Sequence, residues 1–295
     1  MKPITHVVAG TDFSAEAEVT LQRAAFICQQ LGAELHIMHV VHPLELYVGS
    51  ELSFSFQTHY QQAQQELIKT QLEKVVSNLH EQFQIMIHEE TRIGRAHTEI
   101  NKYALAVSAG LIVTGAQGEH YLFEKLLGST TSRLLRISEC PILIVKNKQA
   151  KVNAYQQVIA AVNFSLGAAK VAKLAHVMAP EAHIEALLIF DTNQEAHMYK
   201  AGMNETLLDK YRKQAMIDAD ARLEAIVTES ALGERASRKI LAGYPPEAIC
   251  QHAKAKDADL IAIGKHEKSN IEDFLLGSVS KGVAYAAECD VLISN

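Results

Sequence analysis

Short runs of apolar, largely β-branched residues alternate along the chain with longer polar stretches in which apolar residues recur every three or four positions. Continuous apolar runs suit strands buried on both faces, and the wider period suits helices with one buried face. In the first half the runs predict strands at His6–Gly10, Glu34–Val41, Gln84–Thr91, Leu111–Gly115 and Ile142–Val145. Between them, helices are expected at Ala15–Leu31, His59–His80, Ala96–Ser108 and Ser129–Ile137. Ser14 stands where a hydroxyl would cap the first helix, with Glu16 and Glu18 favouring its positive end, and Ser165 is expected to repeat that cap. Pro245-Pro246 marks another helix start. Strand–helix alternation of this kind builds a doubly wound, parallel α/β sheet.

The pattern runs twice. Gly264, at the end of Leu260-Ile261-Ala262-Ile263-Gly264, lies 149 positions after Gly115, which ends Leu111-Ile112-Val113-Thr114-Gly115. At the same offset Leu126-Leu127-Gly128-Ser129 returns as Leu275-Leu276-Gly277-Ser278, Glu139-Cys140 as Glu288-Cys289, and Gly94 as Gly243. Asp12-Phe13-Ser14 returns as Asn163-Phe164-Ser165, a small indel away. Shared spacing and shared flanks make the chain a tandem duplication. It is expected to fold as two α/β domains, each a five-stranded parallel sheet flanked by helices, at 1–147 and 156–295. Residues 148–155, continuing the polar stretch Lys146–Lys151, would link them.

Composition narrows the function. With 48% hydrophobic and 21% charged residues and a net charge of −6, the chain is globular and carries no basic excess to neutralise a nucleic-acid backbone. No apolar run reaches the ~18 residues of a membrane span, and Val7-Val8-Ala9-Gly10 is too short for a leader core. The four cysteines, Cys28, Cys140, Cys250 and Cys289, form no CxxC, which suits a reduced, cytoplasmic protein.

In an open parallel sheet, ligands bind beyond the carboxyl ends of the strands. There the first copy places Gly10-Thr11-Asp12 and Gly115-Ala116-Gln117-Gly118, followed after nine residues by Gly128-Ser129-Thr130-Thr131 at a helix start. Glycines admit close backbone approach, the helix start adds amide donors and partial positive charge, and the hydroxyls add more donors. That is a phosphate cradle by its chemistry. The same residues also suit plain turns and a helix start, and both readings stand on local chemistry alone. Neither the G-x-G-x-x-G fingerprint nor a P-loop lysine occurs, which argues against NTP hydrolysis by that route.

The spaced Gly115-x2-Gly118-x9-Gly128-Ser129, with Asp12 after the first strand and His39-Val40-Val41 ending the second, resembles the ATP-binding universal stress proteins, once per copy over essentially the whole chain. The resemblance implies a Rossmann-like fold and a bound adenine nucleotide, ATP or AMP, with magnesium as an optional companion. It implies Asp12 and Thr11 beside ribose or adenine and a backbone group near Val40 reading the base. Gly115, Gly118, Gly128, Ser129, Thr130 and Thr131 would surround the phosphates. The position after Gly118 is commonly basic in that family; here it is Glu119, which offers phosphate nothing. Dimerisation through the last strands, between the two copies and also between chains, is a further implication.

The second copy keeps the spacing and loses chemistry: Gly264, Gly277 and Ser278 remain, but Glu267 replaces Gly118 and Asn163 replaces Asp12. A carboxylate 4 Å from phosphate at an effective dielectric of 20 repels by about 4 kcal/mol, so the second site is expected to be degenerate. Fourteen histidines raise a metal reading, but His36 and His42, on one face of a strand, would stand ~20 Å apart, and no HExxH spacing occurs; packed or adventitious histidine, and no metal, is expected. His88-Glu89-Glu90 reads as a polar strand end. Cys140 and Cys289, equivalent by duplication, read as packing residues. The long connections after the second strand of each copy, partly apolar through Tyr47, Phe54, Phe56, Met198 and Tyr199, suit a cover over a nucleotide, a site for a lipid-like molecule or packing between the copies. Three functions therefore compete: nucleotide binding without turnover in a stress response, slow ATP hydrolysis or autophosphorylation, and a scaffold for another small molecule or protein. No catalytic residue is expected.

Overall fold

The computed structural model describes residues 3–42, 51–117, 127–146, 152–165, 167–191, 198–230, 232–265 and 276–294, with the side chains of 51–61 and 234 outside the description. The first repeat runs β1 (His6–Thr11), α1 (Ala15–Leu31), β2 (Glu34–Val41), α2 (Glu51–Phe83), β3 (Ile87–Ile93), α3 (Ala96–Ala106), β4 (Leu111–Gly115), α4 (Ser129–Ile137) and β5 (Ile142–Val145). The second runs β6 (Gln157–Val162), α5 (Ala168–Met178), β7 (His183–Asp191), α6 (Glu205–Ser230), a 3-10 turn (Gly233–Arg235), β8 (Ala236–Gly243), α7 (Pro245–Ala255), β9 (Leu260–Gly264), α8 (Ser278–Ala286) and β10 (Asp290–Ser294).

The chain forms two compact units. One holds β1–β4, α1–α3 and the first turns of α4, up to Leu134. Its strands lie in the order β3-β2-β1-β4, all parallel, which is the doubly wound arrangement read from the alternation. Val7, Val8, Leu35, Ile37, Leu111, Ile112 and Val113 are fully buried, as strands covered on both faces require. The other unit runs from Leu135 onwards. Its parallel strands are ordered β10-β9-β6-β7-β8, and β5 joins them antiparallel to β10, with Leu143 opposite Leu292.

Most boundaries fall within two residues of the pattern; both ends of α2 and the start of β3 do not. β3 begins at Ile87 rather than Gln84, because α2 continues to Phe83 and Gln84 turns the chain through a left-handed φ of 52° with its N–H on His80 O at 2.9 Å. α2 also starts at Glu51, eight residues ahead of the periodic stretch from His59. Ser14 caps α1 as expected, its hydroxyl accepting from Ala17 N. Ser165 does not cap α5: Gly167 holds the N-cap with no side-chain bond, and only the Ser165 carbonyl accepts from Ala168 N. Pro245 and Pro246 do open α7.

Two lysines, Lys265 buried and Lys146 half-buried, fasten the second unit by capping helix ends. Lys146 Nζ donates to Ala287 O at 2.6 Å beyond α8, and Lys265 Nζ donates to Ser138 O at 2.6 Å beyond α4. Each places a cation at a helix's negative end. Burial pushes Lys146 down to about 8. Asp290, with no exposed surface, accepts from Lys146 N at 2.8 Å and Tyr155 Oη at 2.7 Å, fixing the chain on both sides of 147–151.

Candidate functional site

The first unit gathers its candidate residues beyond β1, β2 and β4. Thr11 ends β1 beside His39 of β2; the Thr11 hydroxyl accepts from Phe13 N at 3.1 Å, and the His39 ring donates from Nδ1 to Thr11 O at 2.9 Å. Asp12 is exposed and its Oδ1 accepts from Ser14 N at 3.1 Å and Ser14 Oγ at 2.6 Å, closing a tight turn into α1. That turn holds Phe13 at a left-handed φ of 63°. A bulky residue there is a conformational outlier. Its ring stacks on His39 with centroids 4.6 Å apart, and Val40 follows half-buried at the end of β2.

At β4 the frame is made by hydrogen bonds to the chain turn itself. Gly128 N donates to Ala116 O at 2.7 Å, which brings the start of α4 against the end of β4. Thr131 donates its hydroxyl to Gly115 O at 2.7 Å, leaving Thr114 as donor to Thr131 across 2.9 Å. Thr131 is therefore buried and turned inward, where the sequence places it among the phosphate contacts; its work is to hold the turn. A Cβ on Gly115 would come within 3.0 Å of Thr20 Oγ1 and 3.1 Å of Gln117 O, so a side chain there would crowd the turn. Ser129 is exposed and Thr130 half-buried on the first turn of α4, whose opening amides have no partner within the helix by geometry. Gly118 lies outside the described residues, as do Tyr47 and, across the repeat, Glu267.

Burial first, and then the positive charges of Arg133 on α4 and Arg95 ahead of α3, push His97 below its ordinary range. The sequence reading missed this pair, along with the Phe13–His39 stack, because the partners come from different elements.

The second repeat reproduces the frame with other side chains. Gly277 N donates to Lys265 O at 2.8 Å, Ser280 donates to Gly264 O, and Asn163 Oδ1 accepts from Ser165 N at 3.0 Å. Ser278 is exposed like Ser129. A Cβ on Gly264 would meet only Val171 at 3.6 Å, an ordinary contact. Leu188 stands where His39 does, and Phe164 is 42% exposed, so the ring stack has no counterpart.

At the other end of the first unit's strands lies a cluster that within-strand spacing does not reveal. His6 pairs in register with Glu34, and His36 with His88, so the four side chains share one face. His36 is buried; its Nδ1 lies 3.0 Å from Tyr103 Oη and its Nε2 3.2 Å from His6 Nδ1. Burial, reinforced by His88 and His6, pushes His36 down to about 4 and keeps it uncharged at neutral pH. His42 has no part in this cluster, and His88, exposed at the second position of β3 as a polar strand end, is also a cross-strand partner.

The model of the universal stress protein family matches this chain twice, at residues 3–146 and 154–295. A universal stress protein of Methanocaldococcus jannaschii is 31% identical over 148 residues, 49% of this chain and 82% of its own. One of Mycolicibacterium smegmatis is 23% identical over 294 residues, 97% of this chain and 96% of its own. A solved universal stress protein from Archaeoglobus fulgidus shares the fold over 98% of both chains, with a TM-score of 0.64 at 18% identity.

Proposed function

The chain belongs to the universal stress protein family in each of its two repeats, and from that premise we propose that its first repeat binds an adenine nucleotide, ATP or AMP, without turning it over. The observation that carries this reading is the frame at β4: Gly128 bonded to Ala116 and Thr131 bonded to Gly115 present the opening amides of α4, with Ser129 and Thr130, at the mouth of the sheet. Amides at a helix start bind phosphate, and the field of Arg95 and Arg133 has the matching sign. Asp12 and Thr11 then face ribose or base, a backbone group near Val40 reads adenine, and Gly115, Gly118 and Gly128 let the tail approach the main chain. Magnesium, where present, accompanies the phosphates.

In the second repeat the sequence has Glu267 in place of Gly118 and Asn163 in place of Asp12, and a carboxylate repels phosphate, so that site is blind to ATP. Binding without turnover fits a loop that sets Glu119, a carboxylate, directly after Gly118, where it offers nothing to stabilise a transferring phosphoryl group. The reading divides the chain into a nucleotide-binding domain at 1–147, a linker at 148–155 and a second domain at 156–295. It places the protein in a cytoplasmic stress response; no helix among the described residues is long and apolar enough to cross a membrane. The antiparallel ladder of β5 and β10 supports pairing of the two domains through their last strands, with a homodimer as its extension. Titration calorimetry with ATP is expected to give one site per chain and no ADP release above the protein-free baseline. Two equivalent sites, or none, contradict the reading, and steady ADP release assigns the chain to slow hydrolysis instead.

A further inference from the structure

We propose that His6, Glu34 and His36 form a binding site for a zinc-class divalent ion at the amino ends of β1 and β2, remote from the nucleotide crevice and independent of it. The ligand atoms are already gathered. His6 Nδ1 lies 3.2 Å from His36 Nε2 and 3.7 Å from Glu34 Oε2, and all three atoms fall within 4.8 Å of one another. Tetrahedral coordination at metal–nitrogen distances of about 2.0–2.1 Å sets neighbouring ligand atoms about 3.4 Å apart, between the 3.2 and 3.7 Å that separate His6 Nδ1 from its two neighbours. Two imidazoles and a carboxylate are a donor set that suits zinc and its neighbours over magnesium or calcium.

The surroundings also fit. A ligating histidine donates its other ring N–H to an oxygen. His36 Nδ1 has Tyr103 Oη at 3.0 Å, so Nε2 keeps its lone pair for a metal. His88 Nε2 lies 2.7 Å from Glu34 Oε2 and its ring stacks on His36 with centroids 4.6 Å apart, holding both ligands in place. His6 and Glu34 retain 33% and 43% side-chain exposure, which leaves the fourth position open to water and gives the ion a way in.

The duplication supplies an internal control. In register, the second repeat places Gln157 beside His183, with Glu185 two residues on and bonded to His252. Glutamine in place of His6 removes a ligand, so one ion per chain is expected rather than two. The test is calorimetric titration of zinc chloride into the full chain after chelator treatment, beside His6→Gln and Glu34→Gln, with circular dichroism to check folding. We expect one equivalent bound by the wild type and at least a tenfold weakening in each variant, together with a zinc-dependent rise in thermal midpoint that each variant lacks. Cobalt in place of zinc should give the intense visible bands of a tetrahedral site, lost in the same variants. No uptake by the wild type, or uptake of equal strength in both variants through scattered surface histidines, overturns the proposal. A folded variant separates ligand loss from unfolding, and Tyr103→Phe, expected to weaken binding about tenfold with all three ligands kept, tests the positioning bond.

Discussion

Single residues carry the contrast between what a sequence displays and what a fold assembles. Gly115, Gly128 and Asp12 were legible because their spacing repeats and their chemistry is local. Thr131 shows the limit: its type fits a phosphate donor, yet its hydroxyl is committed to Gly115 O. His6 and His36 show the opposite limit, since they meet across strands and no spacing along one strand places them together. Cysteine chemistry was legible through duplication alone. Burial raises Cys28 and Cys289 from an ordinary value near 9 to about 12, so both are inert thiols at neutral pH. A thiol raised in the fold contributes stability below the unfolded value and loses it as pH rises toward the folded one. The urea unfolding midpoint is therefore expected to decline as pH rises from 9 to 12, and a thiol reagent at pH 8 to label Cys28, which has no exposed surface, only after unfolding. Rapid labelling of Cys28 in the native chain would refute the burial argument.

At the scale of elements, period and punctuation determined most of the fold. The runs marked β2, β4 and β5 to the residue, because strands covered on both faces keep most inside positions apolar, with His36 and Thr114 as buried exceptions that find hydrogen-bond partners. The start of β3 was hidden because α2 runs on past its periodic stretch and ends at Gln84, a residue with no glycine-like signature for the left-handed turn it makes. The two candidate caps separate sequence analogy from geometry. Ser14→Ala is expected to cost about 1 kcal/mol, the ordinary value of a side-chain cap, while Ser165→Ala is expected to fall within the noise of a chemical unfolding curve. Equal costs would mean that the two helix starts are alike after all.

For the molecule as a whole, duplication was the strongest signal, and it preserved the frame while letting the chemistry drift. Gly128 on Ala116 and Gly277 on Lys265 are the same bond in two repeats, yet one frame carries a ring stack and a crowded glycine and the other neither. What the sequence did not disclose is how the end of the first repeat is fastened. Asp290 accepts from Lys146 N and Tyr155 Oη within the buried interior. Removing it strands two donors at about 1–3 kcal/mol each, so Asp290→Ala is expected to lower the urea midpoint strongly and Asp290→Asn less. A midpoint unchanged in Asp290→Ala would remove that fastening from the account. The central claim is that main-chain amides of the first repeat bind the nucleotide's phosphates and that a carboxylate blinds the second. Calorimetric titration of ATP into Gly118→Glu, beside the wild type, tests it most directly. The account expects at least a tenfold loss of affinity in a chain that remains folded; affinity equal to the wild type's would contradict it.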